Sequence, residues 1–301
     1  MTSSVHSSGT ASASTSVPSG TGPSNPSPSD SAPRFVLYTD QSVSSKNGLP
    51  DVEDIKGSNV LPKDQAEVWA GLSVSDRKAA KKAYSDAGIS VILSVFGETT
   101  SPTTDGKDPT DLANEIAQFV MDNDLDGIDV DYEDFDAFNN GKAEKWLITF
   151  TNVLRKKLPT GRFTISHAPV APWFSNSYKN GGYLAINKAV GDSIDWYNVQ
   201  FYNQGDNMYT DCEGLMTTSG SPFPNTAVMQ LAKAGVDPDK IVIGKPGDAS
   251  DANNGYMSPA ELAGCFKQAK AKGWNAGIMS WEYPHADTKW VTAARASAFP
   301  L

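Results

Sequence analysis

Three carboxylates at alternate positions dominate the chemistry this sequence can offer. In Leu125-Asp126-Gly127-Ile128-Asp129-Val130-Asp131-Tyr132-Glu133, the acids at 129, 131 and 133 are separated by Val130 and Tyr132. Side chains alternate sides along an extended strand, so Asp129, Asp131 and Glu133 share one face while Ile128, Val130 and Tyr132 share the other. Asp134 and Asp136 continue the acidic run, but a solvated loop would not interleave its acids with Ile, Val and Tyr. Carboxylates this close cannot all ionise near neutrality, so the set is expected to retain a proton. A protonated carboxyl is what glycosidic cleavage needs, because the leaving oxygen departs only when protonated. Glu133, the longest of the three and the furthest along the strand, is the expected acid. Asp131, two residues deeper, is better placed to act on the substrate than on the leaving group.

The elements that must carry these acids follow from the hydrophobic pattern. Short apolar runs at 35–39, 89–95, 125–131, 162–166, 196–201, 240–244 and 276–281 read as strands. Between them lie helical patterns. In 110–121, Leu112, Ile116, Phe119 and Val120 fall on one face, as do Trp146, Phe150, Val153 and Leu154 in 142–158. Further helices are expected at 75–87, opened by Ser75-Asp76, and more weakly at 226–234, 258–272 and 286–296. Strand-then-helix units repeating about every 35 residues predict a parallel sheet with crossover helices. Seven or eight units of that size make a single-domain α/β fold, a (β/α)₈ TIM barrel over residues 34–301. On such a barrel the acids line the lumen and climb to its C-terminal mouth. An open doubly wound sheet is the second choice. No GxGxxG or GxxxxGK[ST] run is present to support nucleotide binding.

Asp126–Glu133 resembles the DGxDxDxE signature of glycoside hydrolase family 18, the chitinases and endo-β-N-acetylglucosaminidases. Ser94-Val95-Phe96-Gly97 is similar to that family's third-strand SxGG element, with Phe96 replacing its first glycine. Gln200-Phe201-Tyr202-Asn203 is similar to the sixth-strand QFYN, His167-Ala168-Pro169 to the turn after the fifth strand, and Trp281 to the tryptophan that floors the sugar subsite. The resemblance implies retention through the sugar's own 2-acetamido group, with Glu133 protonating the leaving oxygen. Asp131 would orient the acetamido group, Asp129 would share its proton, and Tyr202 would hydrogen-bond the acetamido oxygen. Trp281 would stack under the ring, with Tyr38, Gln200, Asn203 and Asp126 completing substrate binding. No metal or organic cofactor is implied. The implied substrate is chitin or its oligomers; the alternatives are the GlcNAc pair of an N-glycan core, or a lectin-like protein that binds chitin without cleaving it.

The remaining chemistry-bearing residues have blander expectations. His167 reads as a loop histidine with a hydrogen-bond role, and Trp69, Trp146 and Trp290 as helix packing residues. Trp173, Phe174 and Tyr178 follow the fifth strand and are candidates for further sugar subsites, as are Tyr209 and Tyr283 more weakly.

Composition narrows the partners. The net charge of −10 over 301 residues argues against nucleic acid and anionic membrane surfaces. No run approaches the roughly 18–20 apolar residues of a membrane span. A monomer is expected. The two cysteines, Cys212 and Cys265, fit either one disulfide or two buried thiols, and spacing does not choose between them. Residues 1–33 are Ser, Thr, Pro, Gly and Ala almost throughout, which predicts a disordered linker of the kind found on secreted proteins. It has no apolar segment of signal-peptide type, so an extracellular location would require a signal outside this chain. Only about 55 residues separate the first strand from the third, although two strand-helix units should fit there. The second strand is therefore expected to be short, at 58–61, stopped by Pro62. We expect this to weaken the barrel relative to a version carrying about 10–15 more residues of strand and loop, as the usual unit size would require.

Overall fold

The structure is a computed structural model that describes residues 31–40, 49–63, 66–296 and 298–301. Most of the expected linker, up to residue 30, lies outside the described residues. Eight parallel strands close into a barrel in sequence order: β1 (Arg34–Leu37), β2 (Val60–Lys63), β3 (Ser90–Phe96), β4 (Gly127–Asp131), β5 (Thr164–His167), β6 (Trp196–Gln200), β7 (Ile241–Pro246) and β8 (Gly277–Trp281). β8 pairs with β1 over four registers, from Arg34–Gly277 to Leu37–Ser280. The helices are α1 (Ala66–Ala70), α2 (Val74–Asp86), α3 (Pro109–Asp122), α4 (Phe135–Asn139), α5 (Ala143–Lys157), α6 (Gly182–Val190), α7 (Val228–Lys233), α8 (Pro259–Lys270) and α9 (Thr288–Arg295). No described helix is long and apolar enough to cross a membrane.

Local chemistry sets the helix starts. Asp108 caps α3 by accepting from the Thr110 and Asp111 amides, with Pro109 at the first helical position. Ser258 and Glu261 form a reciprocal capping box on α8, again behind a proline. α2 is capped by Ser73, which accepts from the Asp76 amide, so the helix begins earlier than the Ser75-Asp76 pair suggested. α6 has no counterpart among the expected helices.

The compact N-terminal stretch has a different cause from the expected one. Pro62 does not stop β2. It sits inside the strand, opposite Ile92 of β3, and its carbonyl accepts from the Thr39 amide on the other side. What is missing, among the described residues, is a helix in the first unit. A single 3₁₀ turn at Val52–Ile55 takes its place, pinned to α9 by Thr288 Oγ1, which donates to the Glu53 carbonyl and accepts from the Lys56 amide. The barrel closes with a four-residue second strand, although the β1–β2 seam has a single register pair, Val36–Val60.

Cys212 and Cys265 form a disulfide between the segment after β6 and the buried face of α8. That resolves the alternative left open by their spacing.

Candidate functional site

β4 places its acids as the alternation requires. Asp129 is fully buried in the lumen, while Tyr132 packs outward against Phe138 of α4 and Trp146 of α5. Asp131 ends the strand and Glu133 lies just beyond it, so the three rise from floor to mouth.

At the floor, Asp129 Oδ2 accepts from Tyr38 Oη (2.5 Å) and Ser94 Oγ (3.3 Å), and Oδ1 from Ser166 Oγ (2.5 Å) and Asn198 Nδ2 (3.0 Å). Ser94 and Ser166 are the direct neighbours of Asp129 on β3 and β5. Burial raises the Asp129 pKa and these four donors pull it back only in part. One level up, Gln200 Nε2 reaches Asp131 Oδ1 (3.1 Å), Glu133 Oε1 (3.0 Å) and the Ala168 carbonyl (2.9 Å). A single amide thus holds both upper carboxyls at a fixed spacing. Glu133 is raised above the usual carboxylate range, chiefly by burial and further by the charge of Glu98; hydrogen bonds from Gln200 and the Asp131 carboxyl oppose the rise.

These groups open into a cleft of about 730 Å³, whose walls include Glu133, Asp131, Tyr202, Trp281, Phe135 and Asp251. Tyr202 is 5% exposed and lines the cleft, and its hydroxyl has no hydrogen-bond partner among the described residues. Burial, with the charges of Asp131 and Glu133, raises its pKa well above the phenol value, so it stays a donor. Trp281 ends β8 with its ring 5.8 Å from that of Tyr38.

Several expected residues stand elsewhere or act differently. Asp126 lies at the opposite end of β4, where it pairs with Lys81 and accepts from the Val91 amide, so it cannot reach the cleft. Tyr38 is buried beneath Trp281 and bonds Asp129, which makes it floor and not wall. Asn203 borders the cleft, but its side-chain oxygen accepts from the Asn253 amide and joins the loops after β6 and β7. Trp173 and Phe174 are core residues packed on Tyr183, and Tyr178 leans on Phe138. Tyr209 is buried on Phe201, while Tyr283 bonds Asp54. His167 is not in a loop: it ends β5, fully buried, between Thr151 Oγ1 and Tyr183 Oη, each at 3.2 Å. The Thr151 hydroxyl donates to the Leu147 carbonyl, so the network assigns the ring proton to Nε2. Burial lowers the His167 pKa to about 3, which keeps the ring neutral. Trp69 and Trp146 are packing residues as expected, their indole N–H groups donating to the Asn123 and Lys107 carbonyls, and Trp290 is likewise buried on α9.

Two residues of the site lie outside the expected set. Asn198 falls between Trp196 and Gln200 in inward alternation, a polar residue in an apolar strand and hence a visible signal. Lys245 is the second. It is fully buried in β7, and its Nζ donates to the carbonyls of Phe201 (2.9 Å), Tyr209 (2.6 Å) and Gly255 (2.8 Å). Gly255 packs so closely beneath Tyr202 that an added Cβ would lie 2.7 Å from the Tyr202 Cα. The lysine therefore ties together the backbone that carries Tyr202. Burial lowers its pKa from 10.5 to about 7. Between those values the unfolded chain binds more protons, so stability rises with pH there, and the cost of burying the charge is fully present below 7. Lys245→Met leaves three buried carbonyls without donors, and we expect its melting temperature to fall by about 5–10 °C at pH 7. The deficit should widen as the pH is raised through the window in which wild type gains stability. A thermal series showing equal melting temperatures for both proteins would rule this tie out.

Exochitinase 1 of Streptomyces olivaceoviridis is 26% identical over 228 residues, which are 63% of this chain and 37% of that protein. The chain thus spans well under half of this relative's length. Among solved structures, a GH18 chitinase from Pseudoalteromonas aurantia superposes with a TM-score of 0.68 at 24% identity, covering 87% of this chain and 98% of the other. A fungal endo-β-N-acetylglucosaminidase superposes at 0.62 with 20% identity, covering 87% and 96%. At these identities the superpositions establish the fold. Residues 36–299, nearly the whole barrel, match the family model Glycosyl hydrolases family 18, and the chain belongs to that family.

Proposed function

We propose that this chain is a retaining hydrolase of β-1,4 bonds at N-acetylglucosamine, acting on chitin or chitin oligomers with the substrate's acetamido group as nucleophile. The observation that carries the reading is the pairing of Asp131 and Glu133 under one Gln200 amide, beside Tyr202, whose hydroxyl has no hydrogen-bond partner among the described residues. Glu133 gives its proton to the glycosidic oxygen as the bond to the anomeric carbon breaks. The acetamido carbonyl oxygen attacks that carbon, guided by the Tyr202 O–H, and Asp131 takes a hydrogen bond from the acetamido N–H, stabilising the oxazolinium. Asp129 tunes Asp131 from below and shares its proton. Water, deprotonated by Glu133, then opens the ring with retention. Trp281 supports the reacting sugar, Gln200 sets the acid spacing and Asn203 braces the wall; Tyr38 acts through Asp129. The chemistry requires no cofactor. The Cys212–Cys265 disulfide supports an extracellular, oxidising setting, with the barrel working as a monomer behind the 1–33 linker.

Digestion of colloidal chitin, chitin oligomers and a high-mannose glycoprotein, with products identified by mass, tests the substrate. Soluble GlcNAc oligomers with β-configured new ends are expected. Glycan release leaving one GlcNAc on asparagine would instead assign the endoglycosidase activity. Binding without products from any of the three would make the protein a non-catalytic chitin binder.

A further inference from the structure

Phe135 is 46% exposed, yet it stands in a tightly fixed turn. Its amide donates to the Glu133 carbonyl at 2.9 Å, and it opens α4 behind Asp134. The Asp134 carboxylate is buried and accepts from the Thr104 amide (2.7 Å), Thr104 Oγ1 (2.6 Å) and the Ala137 amide (3.0 Å). The Phe135 ring packs at 5.0 Å from Trp173, which is itself stacked at 3.9 Å on Phe138. One side of the ring is thus backed by core aromatics while the rest borders the cleft. A single exposed apolar residue needs no explanation on an open surface. A rigidly held, half-bare phenyl on a cleft wall, two residues past the acid, offers a ready-made flat surface for a ligand.

Its position in the barrel says which part of the ligand. Trp281 ends β8 and Phe135 follows β4, and in a closed eight-strand barrel these strands are diametrically opposed. The two aromatics therefore stand on opposite sides of the mouth, both bordering the cleft, with Glu133 on the Phe135 side. A sugar resting on Trp281 with its glycosidic oxygen at Glu133 directs the next residue toward the β4 wall. We propose that Phe135 is the platform for the leaving-side sugar, an N-acetylglucosamine ring whose C–H face stacks on the phenyl. This rests on the hydrolase reading above and adds a specificity-determining residue to it.

Two substrates separate the proposal from a merely structural role: chitohexaose, which fills the leaving side, and chitobiosyl fluoride, whose leaving group does not. For Phe135→Ala, kcat/KM on the hexamer should fall about tenfold more than on the fluoride, the scale of one lost stacked contact. Transfer of the sugar to added chitobiose should drop relative to hydrolysis, because the acceptor uses the same surface. Phe135→Leu keeps an apolar contact with Trp173 without a flat face and should resemble Ala, while Phe135→Trp should restore wild-type selectivity. Equal losses on both substrates, or a Leu variant indistinguishable from wild type on the hexamer, would overturn the platform while leaving the hydrolase reading intact. A wild-type protein that cleaves neither substrate would sink both.

Discussion

Glu133→Gln is expected to lose about 10²–10⁴-fold or more of turnover while remaining folded and able to bind sugar, since it removes only the transferable proton. Stability should move the other way. The folded-state pKa of Glu133 is raised above 4.5, so the folded protein binds more protons than the unfolded chain between 4.5 and that raised value. Its contribution is fully present below 4.5 and is lost as pH rises through the folded pKa. At neutral pH, glutamine relieves that cost, and the variant should melt no lower than wild type. The same shift gives the pH profile its falling limb. With Glu133 as the proposed acid, its protonated form is the donor, and activity should drop as pH rises through the raised pKa. A variant that kept more than about a tenth of wild-type turnover, against the usual scale of general acid catalysis, would show that Glu133 is not the acid.

The second large effect is at Asp131. An asparagine in its place would keep the size and the contact with Gln200 but lose the negative charge that the proposed oxazolinium would need beside it. Asp131→Asn should therefore approach the Glu133 variant in severity, at about 10²–10³-fold. Tyr202→Phe, which removes one donor to the acetamido oxygen, should cost less. A GlcNAc-thiazoline, carrying the bicyclic shape of that intermediate, should inhibit wild type strongly and Asp131→Asn weakly. Mass spectrometry detecting a sugar ester on any carboxylate would replace this mechanism with a protein nucleophile.

Much of this site was legible because strand alternation is a strict code. Once 125–133 was read as extended, the inward set of Asp129, Asp131 and Glu133 and the outward packing of Tyr132 followed. The same code applied to β6 would have found Asn198. It failed where the chain leaves the strands. Asp126 shares a motif with the acids, but a strand is long enough to put its two ends on opposite faces of the barrel. Trp173 and Phe174 follow β5 in sequence, but their burial depends on α6, whose stripe of Tyr183, Ile186 and Val190 is obscured by the Gly181-Gly182 start. Both glycines have positive φ, and Gly182 packs against the Trp173 carbonyl.

Phe96 shows what a departure from a motif can mean. It occupies the place where the resemblance expects glycine, and its φ is +88°, a conformation that glycine adopts freely and phenylalanine does not. Its ring lies within 5.5–6.3 Å of Phe150, Trp146 and Tyr132 on the outer side of the barrel. Aromatic packing on α5 thus offsets a strained backbone at the rim of the cleft.

The barrel's closing seam also has a consequence for how the chain is made. β1 has one register pair with β2 and four with β8, so its main partner is made about 240 residues later than β1 itself. At roughly 5–20 residues per second, the first strand waits on the order of tens of seconds for the eighth. During that time Phe35 and Leu37, both buried in the finished barrel, have no permanent cover. For that interval the nascent barrel is an unclosed arc with an apolar edge at β1.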